Sequence, residues 1–208
     1  MLYQLLKQKW WGPSVSAIVA LILSGCATEL PVRVAEAGIS GTLVVGRVVT
    51  NITGEVQRIY APELRSFEVV NTENQERFKV DVQSADEYFS FSLPPGSYEL
   101  NRVQISEGPF LSMAQLTAGF ALKPNMMTFL GTWHFGVDSP KYGRQVIVSM
   151  TSDEQDQERA KQFVKHSYPA FDARPMVILI PEPSHEQARL YEVMPYPRIL
   201  GYFRRHWW

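Results

Sequence analysis

The sequence holds very little cysteine: Cys26 is the only one in 208 residues. No disulfide can form within the chain, and no second thiol is present to share a zinc site or to serve as a catalytic nucleophile. Charge of one sign is also lacking. Twenty Lys and Arg stand against 21 Asp and Glu, for a formal charge of −1, and losing Lys7 and Lys9 would make the remainder more acidic. Binding nucleic acid through its phosphates takes a concentrated basic surface, so no nucleic-acid partner is expected. A long hydrophobic run is missing too. The apolar stretch at residues 15–23 is interrupted by Ser16 and falls short of the roughly 20 residues that span a bilayer, and Gly12-Pro13 breaks any longer helix before it. There is no repeat and no low-complexity segment. There is also no Gly-x-Ser-x-Gly elbow, His-Glu-x-x-His, phosphate loop or Gly-x-Gly-x-x-Gly.

What is present begins with Lys7 and Lys9, the apolar run, and then Leu23-Ser24-Gly25-Cys26. A basic region, a short apolar region and small residues at a cut site describe a secretory signal peptide over residues 1–25. Leu-Ser-Gly-Cys resembles the lipobox of bacterial lipoproteins. That resemblance implies diacylglycerol on the Cys26 thiol, cleavage before Cys26 and N-acylation of the new terminus, with these covalent lipids as the only prosthetic chemistry. Two or three acyl chains anchor a protein stably where one does not. Ala27 follows the cysteine, where an aspartate would suggest inner-membrane retention. The resemblance therefore implies an outer-membrane anchor, with the membrane as a partner; a periplasmic face and an envelope protein partner are expected, and the sequence does not distinguish that face from a surface-exposed one.

Residues 26–39 carry little pattern and include Pro31 and Gly38, and they read as a short tether. From residue 40 to 183 the pattern is that of one β domain. Strands are expected at 41–49, 64–70, 76–82, 87–93, 97–105, 118–122, 126–135 and 144–150, with a buried one at 176–180. Phe78, Val80 and Val82 alternate with Arg77, Lys79 and Asp81, and Phe89, Phe91 and Leu93 alternate with Tyr88, Ser90 and Ser92. Such period-2 patterns mark antiparallel strands with one wet face. Pro94-Pro95-Gly96 forces a turn. The alternation slips between Leu100 and Val103, which predicts a bulge. In 126–135 the same pattern puts Phe129, Gly131, Trp133 and Phe135 on one face. One helix is expected after Thr151-Ser152-Asp153-Glu154, read as a capping box, with Ala160, Phe163 and Val164 as its apolar stripe and Pro169 beyond its end.

Tyr88 through Leu100, an aromatic strand followed by a Pro-Gly turn and Tyr-x-Leu, resembles the carboxypeptidase regulatory-like (transthyretin-like) β-sandwich module of many bacterial lipoproteins. Residues 41–49 fit its opening strand, and Phe129-Leu130-Gly131-Thr132-Trp133 is similar to a later one. The resemblance implies an antiparallel β-sandwich with one packed helix behind an N-terminal signal helix. It carries no catalytic motif.

Candidate chemistry is sparse. His134, Asp138 and Ser139 are the best hydrolytic constellation, and His134 with Asp138 the best metal pair, although a solvated histidine and an Asp-Ser-Pro turn explain them more simply. His166 suits a helix C-terminus, and His185 and His206 lie in loop and tail. Asp153, Glu154, Asp156 and Glu158 spread around the helix and read as capping and solvated groups. An exposed aromatic row including Tyr88 and Trp133 would mark a glycan- or small-ligand-binding module. Residues 184–208 read as an extended aromatic-basic tail ending in Tyr202, Phe203, Arg204, Arg205, His206, Trp207 and Trp208. Aromatic and Arg residues of this kind suit a protein interface, a membrane interface or cover for a sandwich edge. The reading is a non-catalytic, lipid-anchored envelope protein with a structural or interaction role.

Overall fold

The computed structural model describes residues 32–34, 41–53, 60–82, 88–138 and 143–193. Residues 1–25, Cys26, Ser139, and the tail from residue 194, with Tyr202, Phe203, Arg204, Arg205, Trp207 and Trp208, lie outside the described residues. The chain is mainly β. In order, the strands are β1 (Val32–Val34), β2 (Thr42–Thr53), β3 (Pro62–Asn71), β4 (Arg77–Asp81), β5 (Tyr88–Leu93), β6 (Gly96–Glu107), β7 (Phe110–Gln115), β8 (Gly119–Leu122), β9 (Met127–Asp138), β10 (Arg144–Thr151), β11 (Met176–Ile178) and β12 (His185–Val193). A single α-helix among the described residues, α1 (Glu154–Ser167), is followed by a 3₁₀ turn at Pro169–Phe171. No helix among the described residues is long and apolar enough to cross a membrane.

The strands form one sheet in the order β1-β4-β3-β6-β7-β12-β10-β9-β2-β5, with β8 added to β6 and β11 to β9. Strand β12 is the corner. Its first part pairs with β10 (His185 to Leu190), and its last residues, Tyr191 to Val193, pair with β7. The sheet thereby folds back on itself and is nearly closed. Phe67 of β3 meets Phe89 of β5 at 4.9 Å and Trp133 of β9 at 5.1 Å between ring centroids. Phe67, Phe91, Tyr98, Leu100, Trp133 and Phe135 are each at most 1 % exposed. Edge-to-face and tilted rings of this kind fill a core densely.

Pro94-Pro95-Gly96 turns the chain as expected, but it joins no hairpin. Strand β5 pairs with β2 and β6 with β3, so this turn carries the chain from one half of the sheet to the other. The bulge falls where the alternation slips: Glu68 opposes Arg102, then Val69 opposes Leu100, leaving Asn101 out of register. Its amide donates to Glu68 at 3.0 Å, and its carbonyl accepts from Leu116 N at 3.0 Å.

Several expectations need correction. The sheet is mixed, because β2 runs parallel to β9 along most of its length. Parallel neighbours need a long connection, and here six strands intervene in sequence. Phe129 does not share a face with Trp133. Gly131 adopts φ +79° and the register between β2 and β9 shifts beside it, after Val45. Phe129 therefore packs toward α1 with Leu43, Val45, Ala160 and Val164, while Leu130, Trp133 and Phe135 enter the main core. A Cβ at Gly131 would collide with the Thr151 carbonyl oxygen, so glycine is required there. The helix cap is Asp153 rather than Thr151: its side chain accepts from Asp156 N at 2.7 Å, and Thr151 still belongs to β10. Strand β11 is shorter than expected and is not buried, with Ile178 at 42 % exposure. The stretch expected as tail begins instead as β12, from His185, and β7 carries no pattern that the sequence reading picks out. Within the expected tether, Val32–Val34 pairs in parallel with Arg77 to Lys79.

Candidate functional site

The faces of β2, β9, β10 and β12 that point away from the core carry a chemically varied surface. Its lower half is covered by α1. Leu43, Val45, Met127 and Phe129 from the strands pack on Ala160 and Val164, with Phe171 from the 3₁₀ turn. Asp156 fixes the helix in place: it accepts from Thr132 Oγ1 at 2.6 Å and from Arg47 at 3.2 Å, beneath the helix. Thr132 is fully buried and Asp156 is 8 % exposed. This carboxylate is therefore a buried, paired anchor and not the solvated acid that the sequence suggests. Tyr88 stacks on Phe163 at 4.8 Å, and Ser90 shares a 2.7 Å hydrogen bond with the Tyr168 hydroxyl.

Beyond the helix the face is open, and strand register sets its side chains in rows. One row runs Val49, His134, Ser149, His185; the next runs Asn51, Gly136, Ile147, Gln187; the last runs Thr53, Asp138, Gln145, Arg189. His134 thus neighbours Ser149 across the strands, but no hydrogen bond joins them. Asp138 stands four residues further along β9, about 13 Å away at strand rise. A base and its orienting carboxylate must be linked by a hydrogen bond, and His134 and Asp138 are too far apart to be; Ser139, the third member of the expected constellation, lies outside the described residues. Among the described residues no three His, Cys, Asp or Glu are grouped to hold a metal ion.

The two aromatics singled out for a binding face are not available for it. Trp133 is fully buried and donates from Nε1 to the Leu130 carbonyl at 3.0 Å, and Tyr88 is stacked under the helix. The exposed aromatic of this face is Tyr191, at 58 %, with the Arg189 guanidinium 5.4 Å from its ring centroid. Beside them Gly143, Arg144, Gln145 and Arg189 line an open depression of about 350 Å³.

Arg144 belongs to this depression only by its edge. Its side chain, 10 % exposed, is paired with Glu107, donates to Ser112 Oγ at 2.6 Å and lies 3.6 Å from Glu192. Glu107 is 3 % exposed. These residues come from β10, β6, β7 and β12, which meet where β12 changes partner. The group is an ionic clasp on the corner of the fold. Sequence reasoning missed it because its members are far apart in the chain. A charged residue opening a β-patterned run, as Arg144 does, was the one available signal.

No protein-family model matches the chain, and no curated protein or solved structure is significantly similar to it.

Proposed function

We propose that this protein is a lipid-anchored, non-catalytic lipoprotein of the bacterial outer membrane, facing the periplasm, whose β domain serves as a structural or protein-interaction module. One observation carries the reading: the only cysteine of the chain closes a short apolar run as Leu23-Ser24-Gly25-Cys26. Diacylglycerol on Cys26, with an N-acyl chain, would account for that residue completely. The finer fold reading belongs here as well. Two halves of a sheet facing one core, with a helix on the outer face, support a carboxypeptidase regulatory-like sandwich, and the Tyr98 contact described below gives its Tyr-x-Leu signature a physical role. The non-catalytic reading is supported by the separation of His134 and Asp138 along β9. Its test is crosslinking from intact envelopes, with the full chain and with residues 201–208 removed. One stoichiometric partner that disappears with the truncation supports an assembly role with the tail as contact.

A second reading, binding of a glycan or small ligand, draws on Arg189, Tyr191 and Gln145 around the open depression. A stacked Arg–Tyr pair beside amides suits a sugar ring or a carboxylate. Retention on an immobilised glycan, lost in Tyr191→Ala, would favour it over the interaction role.

A further inference from the structure

The open face beyond α1 ends in a row of planar polar side chains that the fold leaves largely unpaired. Asp138 of β9 opposes Gln145 of β10, and Gln145 opposes Arg189 of β12. Neighbouring strands lie about 4.8 Å apart, so a carboxylate, an amide and a guanidinium follow one another at that spacing. Asp138 and Arg189 are therefore about 10 Å apart at the backbone, with Gln145 between them. Among the described residues the Asp138 carboxylate has no partner, the Gln145 side chain accepts only from Gln187, and the Arg189 guanidinium meets only the Tyr191 ring. By contrast, Arg47 is paired with Asp156, Arg77 with Glu68 and Lys79 with Asp81.

The surroundings of the row suit a flat ligand. Gly136 lies in the neighbouring row between Asn51 and Ile147, and a Cβ there would come within 2.8 Å of Thr53 Cγ2. No side chain therefore rises at that point of the face. At the β12 end lies the depression of about 350 Å³ beside Gly143, Gln145 and Arg189. Tyr191, two residues beyond Arg189 on the same face of β12, is 58 % exposed even with the guanidinium against its ring.

We propose that this row binds an extended, ribbon-like oligosaccharide without charge, lying across β9, β10 and β12 with one end against Tyr191. The proposal rests on the second reading above and names its ligand class. A carboxylate, an amide or a guanidinium offers two polar atoms side by side, and these match two neighbouring hydroxyls of a pyranose. The spacing of the strands is close to the length of one sugar unit, so successive units meet Asp138, Gln145 and Arg189 in turn. One acid and one base make the row formally neutral, which favours an uncharged chain over a polyanion. The C–H bonds of the last unit pack on Tyr191, whose ring face is electron-rich. A straight β-1,4-linked chain stays on such a face along its length, whereas an α-1,4-linked chain coils away from it.

The test is calorimetric titration of the full processed protein in phosphatidylcholine nanodiscs, which carry no sugar. The probes are cellohexaose, cellobiose, maltohexaose and hexagalacturonate. Tyr191→Ala and Gln145→Ala alter the row, Lys161→Ala on the exposed side of α1 is the control, and thermal unfolding of each variant is recorded first. Cellohexaose is expected to bind at least tenfold tighter than cellobiose or maltohexaose. Each row variant should weaken it at least fivefold, and Lys161→Ala should leave it unchanged. Equal affinity for cellohexaose and cellobiose, both lost in Tyr191→Ala, overturns the extended row and leaves a small-ligand site at the depression. Tighter binding of hexagalacturonate than of cellohexaose overturns the uncharged class. Cellohexaose binding that survives both row variants overturns the location, and no binding of any probe overturns glycan recognition by this face altogether. Two row variants keep the comparison decisive if one fails to fold.

Discussion

The hydroxyl of Tyr98 donates to the carbonyl of Pro94 at 2.8 Å, closing the Pro94-Pro95-Gly96 turn from the strand that leaves it. The ring is 1 % exposed and packs against Phe120 at 5.8 Å and Phe78 at 6.3 Å. A buried tyrosine tied to backbone a few residues upstream pins the turn between them, and this turn carries the chain from the β2–β5 part of the sheet to the β3–β6 part.

Burial raises the pKa of Tyr98 above its ordinary value of 10.0, and the nearby Glu76 and Glu73 charges raise it further against an opposing hydrogen bond from Asn71. The sign follows directly. Above pH 10 the unfolded chain loses this proton while the folded chain keeps it, so stability falls as pH rises from about 10 toward the folded pKa, by up to about 1.4 kcal/mol per pH unit. Tyr98→Phe should cost about 1 kcal/mol at pH 8 through the lost hydrogen bond, yet lose less stability than wild type between pH 10 and 11. Urea unfolding at the three pH values measures both effects. Identical alkaline slopes in the two proteins would contradict the assignment.

Arg144→Met leaves Glu107 buried without its guanidinium partner and should destabilise the fold by about 3–5 kcal/mol. Adding Glu107→Leu should recover most of that loss, because removing both charges also removes the cost of desolvating either. A double-mutant cycle by urea denaturation reads the coupling. Additive losses would mean that the clasp is not a coupled unit.

Asp156→Ala removes the acceptor for both Thr132 and Arg47 beneath α1. We expect a loss of about 2–4 kcal/mol, together with faster amide exchange in α1 than in β6. Asp153→Ala, which removes only the cap, should cost about 1 kcal/mol. Equal losses would show that the buried contacts add nothing beyond capping.

Gly131→Ala meets both a left-handed backbone and the Thr151 carbonyl. It should cost about 3 kcal/mol or more, or prevent soluble expression. Thermal unfolding close to wild type would overturn the account of how β9 changes faces.

These residues also mark how far the sequence alone reaches. Alternation in Phe78-Lys79-Val80 and Phe89-Ser90-Phe91 locates strands directly, because apolar side chains every second residue have one stable use. The Leu100–Val103 slip likewise exposes its bulge. Strand β12, His-Glu-Gln-Ala-Arg-Leu-Tyr-Glu-Val, is rich in residues that favour helix and holds few that favour strand, and only the ladders of β10 and β7 make it extended. Alternation alone misplaces the faces of β9 because one residue at positive φ shifts the phase of the pattern, and glycine in a sequence does not declare its φ. Thr151 and Asp153 are both capable caps, and the choice between them is made by where β10 stops pairing. The clasp of Arg144, Glu107, Ser112 and Glu192 is a tertiary product with no local pattern.

The central claim concerns Cys26, and intact-mass spectrometry of the protein purified from membranes of a bacterial host tests it most directly. The account predicts the mass of residues 26–208 plus diacylglycerol and an N-acyl chain, and accumulation of the uncleaved, unacylated precursor in Cys26→Ser. A wild-type protein that retains residues 1–25, or one that carries a free Cys26 thiol, would contradict it.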